Sequence, residues 1–171
     1  MTTGSNTPLA VLILCTGNSA RSQMAEAILN QKGRGRFIAE SAGSQPAARV
    51  NRFAVEALRE IGIDWQGRQP RGLDELERRS WDIVITVCDR ARDACPIFPG
   101  QPLSAHWGME DPAGVEGDDE VKRRAFREAL QVISRRIDLM LALPVEKLDP
   151  VALQERLRAI GAEEGSPTTR M

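Results

Sequence analysis

Six apolar residues in a row, Leu9-Ala10-Val11-Leu12-Ile13-Leu14, lead directly into Cys15-Thr16-Gly17-Asn18-Ser19-Ala20-Arg21-Ser22. A short unbroken apolar run of this kind reads as a strand buried on both faces. Behind the loop, Gln23 to Asn30 is rich in good helix formers. The unit is therefore strand, tight loop, helix. Such a loop gathers consecutive backbone N–H groups at a helix N-terminus, where unpaired amides and the helix dipole attract an oxyanion. The expected oxyanion-binding residues are Thr16, Gly17, Asn18, Ser19, Ala20, Arg21 and Ser22, with Gly17 taking a backbone angle that other residues resist.

The residue types fit a nucleophile. Inward-facing amides, a guanidinium and a helix start favour the thiolate form of a cysteine, and the thiolate is the reactive form. Arg21 offers two parallel N–H donors to a tetrahedral anion. Ser22 can hydrogen-bond the Cys15 sulfur. The blander alternative is a buried structural cysteine with Arg21 on the surface. The preceding strand, the following helix, and Gly17 and Asn18 between them favour the functional reading.

Further along, residues 36–41 read as a second strand, 82–87 as a third and 103–107 as a fourth. Val50, Ala54, Ala57, Leu58 and Ile61 recur at helical spacing, with Gly62 placed for a C-terminal cap. Leu73 to Arg79 reads as a short polar helix. Gly117 to Leu143 reads as the longest helix, opened by Asp118, Asp119 and Glu120 and buried along Phe126, Leu130, Ile133, Ile137 and Leu141. Strands alternating with helices predict an α/β fold: one open parallel sheet of about four strands with helices on both faces, flavodoxin-like in layout. A single domain is expected over 1–145, followed by a tail at 146–171 holding one short helix at 150–160; Met1 to Pro8 and 161–171 are expected to be loose.

The chain has 171 residues, enough for one domain with a real core. Its 23 basic and 24 acidic side chains leave a net charge of −1, which argues against a nucleic-acid or membrane-surface role. No apolar run is long enough to span a bilayer and the N-terminus lacks signal-peptide features, so a cytoplasmic protein, acting as a monomer, is expected. Three cysteines in a reducing compartment point to catalysis, redox chemistry or metal rather than to a disulfide framework.

Cys15 and Cys88 each follow a strand's carboxyl end, the edge where open parallel sheets bind ligands, so the two sulfurs can be neighbours in space. Between Cys88 and Cys95 lies Asp-Arg-Ala-Arg-Asp-Ala, which suits either a short helix or an exposed loop. If helical, the two sulfurs lie about two turns, roughly 10 Å, apart along the axis. A disulfide needs α-carbons within about 7 Å, so a bond between them would require this segment to unwind toward solvent. Two buried cysteines at a sheet edge are also an ordinary packing feature, although polar surroundings favour reactivity. Zinc held by Cys15, Cys88, Cys95 and His106 is disfavoured because the spacing has no Cys-x2-Cys knuckle, and no metal is expected.

The loop Cys-x5-Arg-Ser near the N-terminus resembles the low-molecular-weight tyrosine phosphatase superfamily, and CTGNSARSQMAE resembles its arsenate reductase branch. VITVCDRARDACPIFPG stands where thioredoxin-coupled arsenate reductases carry two further cysteines, and HWGMEDPAG matches a third stretch of theirs. The resemblance covers residues 9 to 143. It implies that Asp111 of the Asp-Pro pair is the general acid; His106, the sole histidine, is then expected to be structural, because the chemistry already has a nucleophile and an acid. It further implies that Cys15 attacks arsenate, that Cys88 attacks Cys15 and expels arsenite, and that Cys95 closes a Cys88–Cys95 disulfide which thioredoxin reduces, with no tightly bound cofactor. Members that bind potassium use an asparagine and a glutamate matched here by Asn18 and Glu26, but the later pair falls on Gln69 and Arg71, so no potassium site is expected. Two other functions remain open. A phosphotyrosine phosphatase would need Cys15, Arg21 and Asp111 but neither later cysteine. A non-enzymatic thiol sensor of redox state or metalloids would need only the three sulfurs.

Overall fold

The computed structural model describes residues 7–76, 79–93, 95–96 and 98–163. Four strands form one sheet: β1 (Leu9–Cys15), β2 (Phe37–Gly43), β3 (Ile83–Thr86) and β4 (Leu103–His106). Their spatial order is β2-β1-β3-β4 and every neighbouring pair is parallel. Val11, Leu12, Ile13 and Leu14 are at most 2% exposed. Successive side chains on a strand point to opposite faces, so a run with no exposed member requires cover on both. The cover comes from helices: α1 (Arg21–Lys32), α2 (Arg52–Glu60), α3 (Asp89–Asp93), α4 (Asp119–Leu141) and α5 (Pro150–Ala162). This is the expected fold class.

The strand order reverses at β1, which has β2 on one side and β3 on the other. At such a reversal the connections leave in opposite directions and open a crevice at the strands' carboxyl ends. Cys15 is the last residue of β1, and Cys88 follows β3 by two residues. Topology alone therefore delivers both sulfurs to one edge.

Local sequence explains the helix ends near this edge. Asn51 caps α2 by accepting from the Phe53 amide at 2.8 Å, while its own amide donates to Ser19 O at 2.8 Å and ties the helix to the loop. Gly62 follows α2 with φ 88°, as its predicted capping role requires. Asp118 caps α4 through the Val121 amide. The buried stripe of α4 differs from expectation at one end. Met140, not Leu141, is fully buried, and Arg136 lies in the stripe with it.

Of the helix predicted over 73–79, the described residues show one 3-10 turn, Leu73–Glu75. Leu76 O accepts from both the Arg79 amide at 3.1 Å and the Trp81 indole at 3.0 Å; residues 77 and 78 lie outside the described residues. The short helix predicted at 150–160 is α5, started by Asp149 as cap and Pro150 in the first turn. It packs against the rest of the fold. Leu153, Leu157 and Ile160 are buried, Gln154 Oε1 accepts from the Ser104 amide at 3.0 Å, and Arg158 Nε donates to Ser104 O at 3.0 Å. α5 thus covers the outer edge of β4, whose backbone groups would otherwise be unpaired. Residues 1–6 and 164–171, both expected to be loose, lie outside the described residues. Among the described residues, no helix is long and apolar enough to cross a membrane.

Leu157 is fully buried. Leu157→Ala is expected to lower unfolding free energy by about 2–5 kcal/mol in urea titration. A loss below about 0.5 kcal/mol, the range of a surface change, would show that α5 is not part of the core.

Candidate active site

The loop after β1 closes around its own cysteine. The Asn18 amide donates to Cys15 Sγ at 3.3 Å, and Ser22 Oγ lies 3.0 Å from the same sulfur. Cys15, Thr16, Gly17, Ser19, Ala20, Arg21, Cys88, Asp89, Arg90 and Asp111 line a cavity of about 410 Å³. Five of the seven residues expected to bind an anion are on that wall. Asn18 and Ser22 are not; both are fully buried behind it and hold the loop. The unusual backbone angle also belongs elsewhere than expected. Asn18 has φ 52°, whereas Gly17 is not in the left-handed region. Asparagine tolerates that region when its side chain can bond locally.

Asn18 does so on every side. Its Nδ2 donates to Ser22 Oγ and to Ser41 Oγ, each at 2.9 Å. Its Oδ1 accepts from Gln23 Nε2 at 3.0 Å and from the Arg71 amide at 2.7 Å. A backbone N–H can only donate, so the Arg71 amide fixes which end of the Asn18 amide is oxygen. Ser22 Oγ already accepts from Asn18, so its own proton is free for the sulfur. Gly43, at the end of β2, makes the approach feasible: a Cβ there would lie 2.4 Å from Thr16 O.

Ser41 Oγ passes its proton to Glu26 Oε1 at 2.6 Å. Burial pushes the Glu26 carboxyl above the usual glutamate range, outweighing the Ser41 hydrogen bond and the Arg71 and Arg68 charges that pull the other way. Arg71 reaches both Glu26 oxygens at 3.3 Å and Glu40 Oε1 at 2.7 Å. The carboxylate that a cation beside the loop would need thus already faces a guanidinium.

Cys88 and Cys95 face different spaces. Cys88 lines the anion cavity; its sulfur is 3.3 Å from Thr16 Oγ1 and accepts from the Ala91 amide at 3.4 Å. Cys95 lines a separate cavity with Thr86, Arg92, His106 and Arg158. The intervening segment is helical over α3, resolving the open choice between helix and loop. Burial pushes the Cys95 thiol up. His106 spans Thr86 Oγ1 at 2.7 Å and Asp89 Oδ1 at 2.9 Å, and so pins the first residue of α3 to the sheet. Among the described residues no three His, Cys, Asp or Glu side chains converge as a metal site.

Arg21 and Asp111 meet across the mouth of the cavity. Arg21 Nη1 donates to Met109 O at 2.8 Å and, more weakly, to Val87 O at 3.4 Å. Its Nε and Nη2 make no hydrogen bond to another described residue, and Nη2 lies 3.7 Å from Asp111 Oδ2. Asp111 Oδ1 accepts from the Ala113 amide at 2.9 Å, which turns Oδ2 toward Arg21. The half-exposed carboxyl therefore stands over the cavity, placed to exchange a proton with a bound group.

Residues 10–151 match the family described as low molecular weight phosphotyrosine protein phosphatase. The chain belongs to that family. Within it, the chain is 41% identical over 127 residues to an arsenate reductase of Halalkalibacterium halodurans, covering 74% of this chain and 91% of that protein. The thioredoxin-dependent arsenate reductase of Corynebacterium glutamicum superposes with a TM-score of 0.58 at 32% identity, over 77% of this chain and 60% of that one. The low molecular weight protein tyrosine phosphatase of T. tengcongensis superposes with a TM-score of 0.65 at 27% identity, over 82% and 99%. Phosphatases and arsenate reductases of the family thus share this scaffold.

Sequence reasoning missed Gly43 and Arg136. A glycine ending a strand just before the second loop was the available signal for Gly43. For Arg136 it was the position, three residues after Ile133 and four before Met140 on the buried stripe.

Two outcomes follow from the titration directions. Glu26 is raised by burial, so its contribution to stability is present below the ordinary glutamate range and lost as pH rises through the raised value. The melting temperature of wild type relative to Glu26→Gln should therefore fall as pH rises through that window; a flat or rising difference contradicts the assignment. For Cys95, iodoacetamide at pH 8 should modify the reduced, folded protein more slowly than free cysteine, with the difference abolished by denaturant. Peptide mass spectrometry reads the site.

Proposed function

We propose that this chain reduces arsenate to arsenite through a relay of three thiols, with thioredoxin as the external reductant, in the cytoplasm. The observation that carries the reading is that Cys88 opens into the same cavity as Cys15 and Arg21. A phosphatase needs no second sulfur there. The relatives named as arsenate reductases support the substrate, and the Corynebacterium glutamicum neighbour supports thioredoxin.

In this mechanism the anion is held by loop amides and the Arg21 guanidinium. The Cys15 thiolate, held by the Asn18 amide and the Ser22 hydroxyl, attacks arsenic. A hydroxyl leaves as water after taking a proton from Asp111. The Cys88 thiolate then attacks Cys15 Sγ. The Cys15–As bond breaks with its electron pair left on arsenic, which departs as arsenite, and a Cys15–Cys88 disulfide remains. Cys95 attacks Cys88, releasing the Cys15 thiolate and forming the Cys88–Cys95 disulfide. A dithiol protein reduces that disulfide by exchange. For Cys95 to reach Cys88, α3 must unwind, because the two sulfurs now face different cavities.

The test is arsenate-dependent NADPH oxidation with thioredoxin and thioredoxin reductase. Wild type should cycle continuously, Cys15→Ser should not react, and Cys88→Ser and Cys95→Ser should fail to cycle. Sustained turnover at wild-type rate by either downstream variant would overturn the relay. Hydrolysis of aryl phosphates without arsenate reduction would assign the chain to the phosphatases instead.

A further inference from the structure

Arg136 is 6% exposed and sits on the long helix, outside the anion cavity. No carboxylate of the described residues lies within ion-pair distance of it, and its Nε has no hydrogen-bond partner. Burial of the guanidinium lowers its proton affinity, offset only in part by the Glu163 carboxylate, which lies beyond ion-pair distance. A methionine or leucine would fill the same stripe position at less cost. What the guanidinium does is specific: Nη1 donates to Trp107 O at 2.8 Å and to Gly108 O at 3.1 Å.

Those two carbonyls belong to the segment joining β4 to Asp111. The next carbonyl, Met109 O, is the one that accepts from Arg21. Three consecutive peptide oxygens are thus aimed at guanidinium groups, two at Arg136 and one at Arg21. Upstream, the Trp107 amide donates to Thr86 O at 2.7 Å and its indole to Leu157 O at 2.9 Å. Downstream, Asp111 holds its own turn through the Ala113 amide and is otherwise half exposed. Between the anchored Trp107 and the exposed carboxyl, only these arginine contacts fix the path of the chain among the described hydrogen bonds.

We propose that Arg136 is a positioning residue for the general acid: by holding the Trp107 and Gly108 carbonyls it sets where Asp111 stands over the bound anion, without touching substrate. The inference rests on the role of Asp111 in the proposed reaction. General acids contribute about 100- to 10,000-fold, and a displaced acid forfeits part of that, so Arg136→Met should lower kcat about 10- to 100-fold. The KM for arsenate should change little, because Arg21 and the loop amides remain.

The deciding measurement is a double-mutant cycle with Asp111→Asn. Arg136→Met should reduce kcat in the wild-type background and have no further effect in the Asp111→Asn background. Arg136→Lys, which keeps the charge and one donor direction, should show a smaller loss that also vanishes there, and it carries the cycle if the methionine variant does not fold. A wild-type kcat, losses that multiply with those of Asp111→Asn, or a KM rising in step with the fall in kcat would each overturn the proposal. The same cycle is run on 4-nitrophenyl phosphate. Absence of arsenate reduction in wild type would defeat the proposed function, while the phosphate-ester cycle would still decide the role of Arg136.

Discussion

The site depends on one residue held in a conformation that side chains resist. Asn18 is buried with φ 52°, and its amide is bound by groups from three places: Ser22 and Gln23 on α1, Ser41 on β2, and the backbone of Arg71. A left-handed residue of this type is stable only when its surroundings over-determine it. Here they do, and the loop curvature follows. The curvature turns the Asn18 amide onto Cys15 and leaves neighbouring residues facing the cavity. The loop is therefore shaped by the scaffold beneath it, and an anion meets it already formed. Such preorganisation is what makes donors effective where charge develops.

The same network carries a hazard. Glu26 is a buried carboxylate linked to the loop through Ser41 and Asn18, beneath a site that must hold an anion. Left alone, its charge would oppose that anion. Arg71 faces it directly, Arg68 lies 3.8 Å away, and Arg71 and Arg79 both pair with Glu40. Burial on Glu40 is outweighed by these two arginines, which hold its carboxyl below the usual range. The acid next to the loop is thereby screened from inside the protein, and the field at the cavity is left to Arg21 and the amides.

The parts legible in the sequence are those set by local pattern. β1 and β3 announced themselves as unbroken apolar runs, and those runs placed Cys15 and Cys88 on one edge before any coordinates existed. Arg21 was legible from the strand, loop and helix around it, and Asp111 from the resemblance to the family. The misreadings share a cause: each depended on a partner distant in sequence. The left-handed angle was assigned to Gly17 because glycine adopts it freely, but the bonds that stabilise Asn18 come from Ser41 and Arg71. The contacts that seat α5 on β4 likewise join segments far apart in the chain. Arg136 was passed over because its acceptors are backbone carbonyls, which composition cannot reveal.

The placement of Cys95 orders the proposed relay. In the reduced fold it is partly buried, faced away from the anion cavity, and its thiol is raised by burial, so it is a poor nucleophile where it stands. Cys88, by contrast, is already in the cavity with Thr16 and the Ala91 amide on its sulfur. Cys88 therefore shares the cavity of Cys15 in the reduced fold, whereas Cys95 does not. α3 is five residues long, far shorter than a helix stable in isolation, and its hold on the sheet includes the Ala91 amide on Cys88 and the Asp89 bond to His106. In the proposed relay, drawing the Cys88 sulfur into a disulfide with Cys15 would weaken the Ala91 contact and so loosen the helix that keeps Cys95 away. Release then moves Cys95 toward water, where its thiolate is less disfavoured, and toward Cys88 in one motion. A thiol that reacted in its buried position would short-circuit that sequence, whereas in the proposed relay Cys95 would gain reactivity only after the preceding step has removed what restrains it.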